Sequence, residues 1–203
     1  VCQFVQMSTI AVFGSASRIS ETTPERPQTY YGSSKLKADK ELVAMSDREF
    51  KAAIIRPPMA YGGGMAPGNM LRLIRLVNKH IPLPFGSARN SRDFINVKNL
   101  VEFIHLAVEK EVEGVFYPTD KVPYSTRNVV EEISRQLGVH TINLPSPSIF
   151  LKLIEKVRPD LYQKLWGDVV IDRQLALSAI GYEPRYTLED GIREMVESFK
   201  RQK

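Results

Sequence analysis

Apolar positions along this chain fall into short strand-like runs separated by longer stretches with helical spacing. Phe4 to Thr9 reads as a buried strand, and Val1-Cys2-Gln3 leads into it. Lys51-Ala52-Ala53-Ile54-Ile55-Arg56 reads as the next strand and is stopped by Pro57-Pro58. Asp93-Phe94-Ile95-Asn96-Val97 and Val115-Phe116-Tyr117 complete the apolar runs. Helices are expected over Tyr30 to Met45, about Asn69 to Lys79, and Leu100 to Lys110. Ser125 is a good N-cap for a helix to Leu137, and Gly138 is its stop. Ser146-Pro147 opens another helical stretch. Thr187 with Asp190 marks the last helix, which carries Ile192, Met195, Val196 and Phe199 at helical spacing. Ser15 to Gln28 is a polar loop with Pro24 and Pro27. Gly62-Gly63-Gly64 is a turn leading through Pro67-Gly68 into its helix, while Ile81 to Gly86 and Thr141 to Leu144 are extended pieces. Strands alternating with helices predict an α/β fold with a parallel sheet, and the part after Gly114 reads as a smaller, mostly helical lobe.

Composition narrows the picture little. The 203 residues carry a net charge of +5, which alone would suit an anionic ligand or nucleic acid. Lys and Arg are spread among carboxylates, with no basic run interleaved with aromatics, so no nucleic-acid partner is expected. No apolar run approaches the length of a membrane span, and the first residues lack a basic leader; no membrane partner is expected. The single cysteine, Cys2, excludes an internal disulfide and fits a reducing, cytoplasmic compartment. His80, His105 and His140 are isolated and lack metal-ligand spacing.

The candidate chemistry lies near the start. Tyr31 and Lys35 are four residues apart and share one face of the expected helix. A free phenol ionises near pH 10. A neighbouring ammonium favours the phenolate, so such a pair can take or return a proton at a hydroxyl near neutral pH. Thr9, at the strand end, supplies a hydroxyl for the same substrate oxygen. The spacing by itself is weak, for Tyr117-Pro118-Thr119-Asp120-Lys121 repeats it. That second pair contains a proline and no hydroxyl-bearing strand end precedes it, so it reads as a surface loop. Trp166 reads as packing.

In context the motifs are specific. Ser8-Thr9-x-x-Val12-Phe13-Gly14, Tyr31-x-x-x-Lys35, Arg56-Pro57-Pro58-x-x-Tyr61-Gly62, Pro82-Leu83-Pro84-Phe85-Gly86, Arg92-Asp93-Phe94-Ile95 and Gly181-Tyr182-x-Pro184 run through nearly the whole chain. The chain resembles the C-terminal two-thirds of an extended short-chain dehydrogenase/reductase of the NAD-dependent nucleotide-sugar epimerase/dehydratase family. The resemblance implies the rest of a Rossmann-type dinucleotide-binding domain over 1–61 and 91–117, and a nucleotide-sugar-binding lobe over 62–90 and 118–203. It implies Thr9, Tyr31 and Lys35 as catalytic, with Tyr31, Lys35, Pro57 and Met59 at the cofactor, NAD or alternatively NADP. It implies Thr9, Asn69, Pro84, Phe85, Arg92, Lys164 and Asp168 at a UDP-sugar, and a homodimer packed through the helices bearing Tyr31 and following Leu100. Arg92 suits a diphosphate through its bidentate fork, whereas Lys164 stands where relatives often have an Arg and offers only a point charge. As alternatives, Asn69 could cap its helix and Arg92 could form a surface ion pair.

Family dehydratases carry Asp-Glu directly after the Thr of the first motif. Here Ile10 and Ala11 stand there and cannot do acid/base work. That leaves a 4-epimerase, a reductase of UDP-4-keto-sugars, or a binding module without chemistry; a steroid or flavonoid reductase would want a more apolar second lobe. The Gly-rich dinucleotide fingerprint is not among these residues, since Gly62-Gly63-Gly64 lacks its spacing and its later acid. The chain is therefore expected to be a fragment, inactive alone.

Overall fold

The computed structural model describes residues 2–64, 68–177 and 180–202. Val1 and Pro67 lie outside the described residues. The chain folds into two compact units. One comprises Val1–Ala60, Asp93–Val122 and Val169–Arg185; the other comprises Tyr61–Arg92, Pro123–Asp168 and Tyr186–Lys203.

The first unit is built on a parallel sheet of β1 (Gln3–Met7), β3 (Lys51–Ile55) and β6 (Gly114–Phe116), in the order β1-β3-β6. Gln3 stands opposite Lys51, and Ala53 opposite Gly114. β3 is in the middle, and Ala52 to Ile55 are fully buried, which explains its unbroken apolar run. β1 corrects an expectation: Phe4 is 43% exposed and Met7 36%. The strand is there, but in this sheet only β3 flanks it, so its outward residues stay open. Helix α1 (Tyr30–Met45) and helix α3 (Val97–Glu109) accompany the sheet. α3 starts three residues earlier than expected, because the Asn96 side chain accepts from Lys98 N and caps it. Phe103 is central to the core, edge-on to Tyr182 at 5.2 Å and tilted against Phe116 at 6.0 Å.

The polar loop 15–28 holds a strand that the sequence pattern did not reveal. β2 (Arg18–Ile19) pairs in parallel with β7 (Val170–Ile171), which precedes the short helix α7 (Arg173–Leu177). Ile19 and Ile171 join Val12, Phe13 and Leu36 in a second apolar cluster. β4 (Met59–Tyr61) pairs with β5 (Phe94–Asn96) in a further two-stranded sheet. The loop after β6 corrects another expectation: it is not a surface loop. Thr119 and Asp120 are buried, and Asp120 Oδ1 accepts from Asn96 N at 2.9 Å and Asn99 Nδ2 at 2.7 Å.

The second unit is mostly helical. α2 (Asn69–Asn78), α4 (Thr126–Leu137) and α8 (Leu188–Arg201) pack together, with α4 touching both others; α5 (Ser148–Val157) packs on α6 (Pro159–Leu165). α4 and α8 both begin with reciprocal capping boxes, Ser125 with Asn128 and Thr187 with Asp190. Gly138 ends α4 in the left-handed region, at φ 73°. Pro147 precedes α5 as its cap residue. Gly62, Gly63 and Gly64 all have positive φ, as a tight turn requires. Leu83 and Asn143 form a lone parallel bridge in the two extended pieces.

Candidate functional site

The catalytic candidates belong to the first unit. β1 ends at Met7, and Thr9 caps a short 3-10 turn over Ile10–Phe13. Its Oγ1 accepts from Ala11 N at 3.1 Å, which leaves the hydroxyl proton free to donate. Ser8 N reaches Ile55 O at 2.7 Å and Ile10 N reaches Pro57 O at 3.2 Å, so the turn hangs on the end of β3. Helix α1 starts from Thr29, whose hydroxyl accepts from Gly32 N at 3.0 Å. Gly32 lets the helix lie close to the turn: a Cβ there would come 2.7 Å from Ala11 O.

Tyr31 is 56% exposed in the first turn of α1. Lys35, one turn on, donates from Nζ to Met7 O at 2.8 Å. Asp39, one further turn on, accepts from the Ser8 hydroxyl at 2.7 Å. Two successive residues of the β1 end are thus fastened to the face of α1 that carries Tyr31. Thr9 follows directly in the chain. Pro57 is buried at the end of β3, and Met59 is half-buried in β4.

A buried charge cluster adjoins these residues. Arg56 and Asp39 are 4% and 1% exposed, joined from Nε to Oδ2 at 2.9 Å. Arg56 Nη2 also meets Glu25 Oε1 at 2.7 Å. Burial works to lower the proton affinity of Arg56, but Tyr117, Glu25 and Asp39 together raise it above the ordinary guanidinium range. Burial pushes the Tyr117 phenol up. The sequence reading placed Arg56 in a motif without a role, and passed over Asp39 and Glu25. The available signal was spacing, since Tyr31, Lys35 and Asp39 follow one another at intervals of four.

The substrate candidates belong to the second unit. Arg92 does not form a surface ion pair. It is half-buried, and its Nη1 donates to Gln163 O at 2.8 Å and Gly167 O at 2.7 Å. Burial lowers its proton affinity, with Asp168 opposing. Asp168 Oδ1 accepts from Ser91 N at 2.7 Å. Arg92 and Asp168 are therefore brought together from two different loops, with Lys164 exposed on helix α6, which precedes Asp168. Phe85 is buried and packs on Trp166 at 5.2 Å, and Pro84 O accepts from the Ser146 hydroxyl. Asn69 is the first residue of α2, exposed, and Gly68 rather than Asn69 is the cap position. Asn90 was not singled out in the sequence; it bridges Thr126 and Gly167 O at 3.2 Å each. Beside it opens a polar groove of about 510 Å³, lined among others by Arg89, Tyr124, Arg127 and Glu131.

Asp93 serves the first unit. Its carboxylate accepts from Ile171 N at 2.7 Å and Arg173 Nη2 at 2.5 Å. Burial raises its pKa, against both of those donors.

The NAD dependent epimerase/dehydratase family matches residues 1–117. A UDP-glucose 4-epimerase of Vibrio cholerae is 33% identical over 98% of this chain, and the chain spans 63% of that relative's length. Among solved structures, a UDP-glucuronic acid 4-epimerase from Bacillus cereus in complex with NAD superposes with a TM-score of 0.76 at 21% identity, covering 98% of this chain and 61% of its own. The UDP-Glc/GlcNAc 4-epimerase of Campylobacter jejuni gives 0.72 at 22% identity, covering 99% and 65%. The likeness to these two structures is one of fold.

Proposed function

The chain belongs to the NAD dependent epimerase/dehydratase family, and from that premise we propose that it forms the larger part of a UDP-hexose or UDP-N-acetylhexosamine 4-epimerase of polysaccharide biosynthesis. The observation that carries this reading is the double fastening of the β1 end to α1, through Lys35 to Met7 O and Asp39 to the Ser8 hydroxyl. It supports a preformed meeting of Thr9 with Tyr31 and Lys35.

The residues present fit the nicotinamide end of the cofactor. Lys35 uses one N–H on Met7 O and keeps two for a ribose. Tyr31 is open to its surroundings, and Pro57 and Met59 offer apolar contact at the sheet edge. When bound, NAD supplies a reversible hydride acceptor, with NADP as the alternative. Tyr31 takes the proton from the sugar O4 and later returns it. Thr9 donates a hydrogen bond to the same oxygen, and Lys35 stands one turn along the helix from Tyr31. Arg92 and Asn69 hold the diphosphate, assisted by Lys164, while Pro84, Phe85 and Asp168 shape the nucleotide-sugar pocket. The Gly-rich turn for the pyrophosphate is not among these residues; we expect this chain by itself to bind UDP but not to turn over a UDP-sugar. A second copy would pack through α1 and α3, which expose Val43, Met45, Val101 and Val108. We place the enzyme in the cytoplasm; no helix among the described residues is long and apolar enough to cross a membrane.

The decisive experiment assays the native protein that contains this chain on UDP-glucose and UDP-N-acetylglucosamine. Tyr31→Phe should lower kcat by about 10²–10⁴-fold with UDP binding unchanged. Consumption of NADH in step with reduction of an added UDP-4-keto-hexose would instead support the keto-sugar reductase. UDP binding with no turnover by the unsubstituted protein would support a binding module.

A further inference from the structure

The acid/base chemistry makes no use of the charge cluster beside it. Arg56 turns each of its three nitrogens to a separate partner: Nε to Asp39 at 2.9 Å, Nη2 to Glu25 at 2.7 Å, and Nη1 to the Tyr117 hydroxyl at 3.4 Å. Its guanidinium also lies 5.5 Å from the centre of the Phe13 ring. Asp39 Oδ2 accepts from Ser8 as well, while its buried Oδ1 has no hydrogen-bond partner among the described residues. Glu25 reaches a second cation, Lys40 of α1, at 3.6 Å.

Through these bonds one side chain at the end of β3 holds four stretches of chain. Asp39 brings in α1, Glu25 the loop before it, Tyr117 the stretch after β6, and Phe13 the 3-10 turn. A point cation could not do this, for only the planar guanidinium presents donors in several fixed directions. Buried ion pairs give little net stability over well-packed apolar residues; their better-attested use is to select one geometry. The two bonds that fasten the β1 end to α1 are at Lys35 and Asp39, and Asp39 is the one that Arg56 holds.

We propose that Arg56, Asp39 and Glu25 are a positioning network that keeps Tyr31 and Lys35 in register with Thr9. It rests on the acid/base reading above.

The test uses two variants in the native protein. Arg56→Lys keeps the charge and loses the fork. Glu25→Gln removes only the carboxylate on the loop and is the milder change, so it decides the matter where Arg56→Lys does not fold. Each is assayed for kcat and KM with a UDP-hexose well below its melting temperature, and by hydrogen–deuterium exchange. Positioning predicts that kcat falls on the order of 10–100-fold in Arg56→Lys and less in Glu25→Gln, with KM little changed. It also predicts faster amide exchange in both variants, confined to residues 9–14 and 30–36. An unchanged kcat per folded molecule, or exchange unchanged in those two segments, overturns the proposal. If the unsubstituted protein turns over no UDP-hexose, the epimerase reading fails separately, and the exchange pattern still decides the positioning claim.

Discussion

Asp39 is the residue on which the first unit is most exposed to substitution. Asp39→Ala would leave Arg56 buried, 4% exposed, with its fully buried carboxylate partner gone. Removing one partner of a buried pair costs about 3–5 kcal/mol, so urea unfolding of this variant should show a loss of that order. Asp39→Asn keeps an oxygen for Ser8 and should lose less. Gly32→Ala is a second sensitive change. The helical backbone tolerates it, but the added Cβ would meet Ala11 O at 2.7 Å, so α1 must shift from the turn. About 1–3 kcal/mol is expected, read from the same unfolding curves. The Tyr31 and Lys35 pair was legible in the sequence because helical spacing alone puts them on one face. The Asp39–Arg56 pair was not, because its members are 17 residues apart on different elements and nothing local shows that either charge is buried. The same limit applies to Arg92, whose carbonyl partners lie more than 70 residues away.

Elements with strong end signals were read to within a residue. α1 and α4 run over the expected residues, since Ser125 caps α4 and Gly138 stops it, and the α8 start was legible from Thr187 and Asp190. β2 and β7 were missed because two residues cannot show an alternating pattern; each pairs with a chain segment 152 residues away. The α8 cap also carries a pH dependence. Hydrogen bonds from the Thr187 backbone and hydroxyl, with Arg193 beside them, hold Asp190 below the ordinary carboxylate range. In the unfolded chain the group takes up its proton near pH 4. The cap therefore contributes its full stability above that value and loses it as pH falls through the lower, folded value. Thr187→Ala should cost about 0.5–1 kcal/mol at pH 7, the site being part-exposed, and the difference from the unsubstituted protein should shrink by pH 3 in urea titrations.

For the molecule as a whole, the α/β class followed from strands alternating with helices, but the route of the chain did not. Nothing local marks residues 169–185 as partners of the first unit, because β7, Ile180 and Tyr182 find their contacts only once that unit's sheet exists. Truncation after Asp168 is expected to remove β7 and Tyr182 from the first unit and α8 from the second. The shortened chain should lose its near-ultraviolet dichroism and bind a dye for exposed apolar surface, whereas the intact chain should not. The interleaving of the two units also bears on synthesis. A ribosome adds roughly 5–20 residues per second, so the peptide that closes the first unit follows its opening segment by on the order of ten seconds. During that wait the nascent β1–β3 pair stands with Val5 and Ile55 short of cover, and its safe passage falls to whatever holds emerging chains apart.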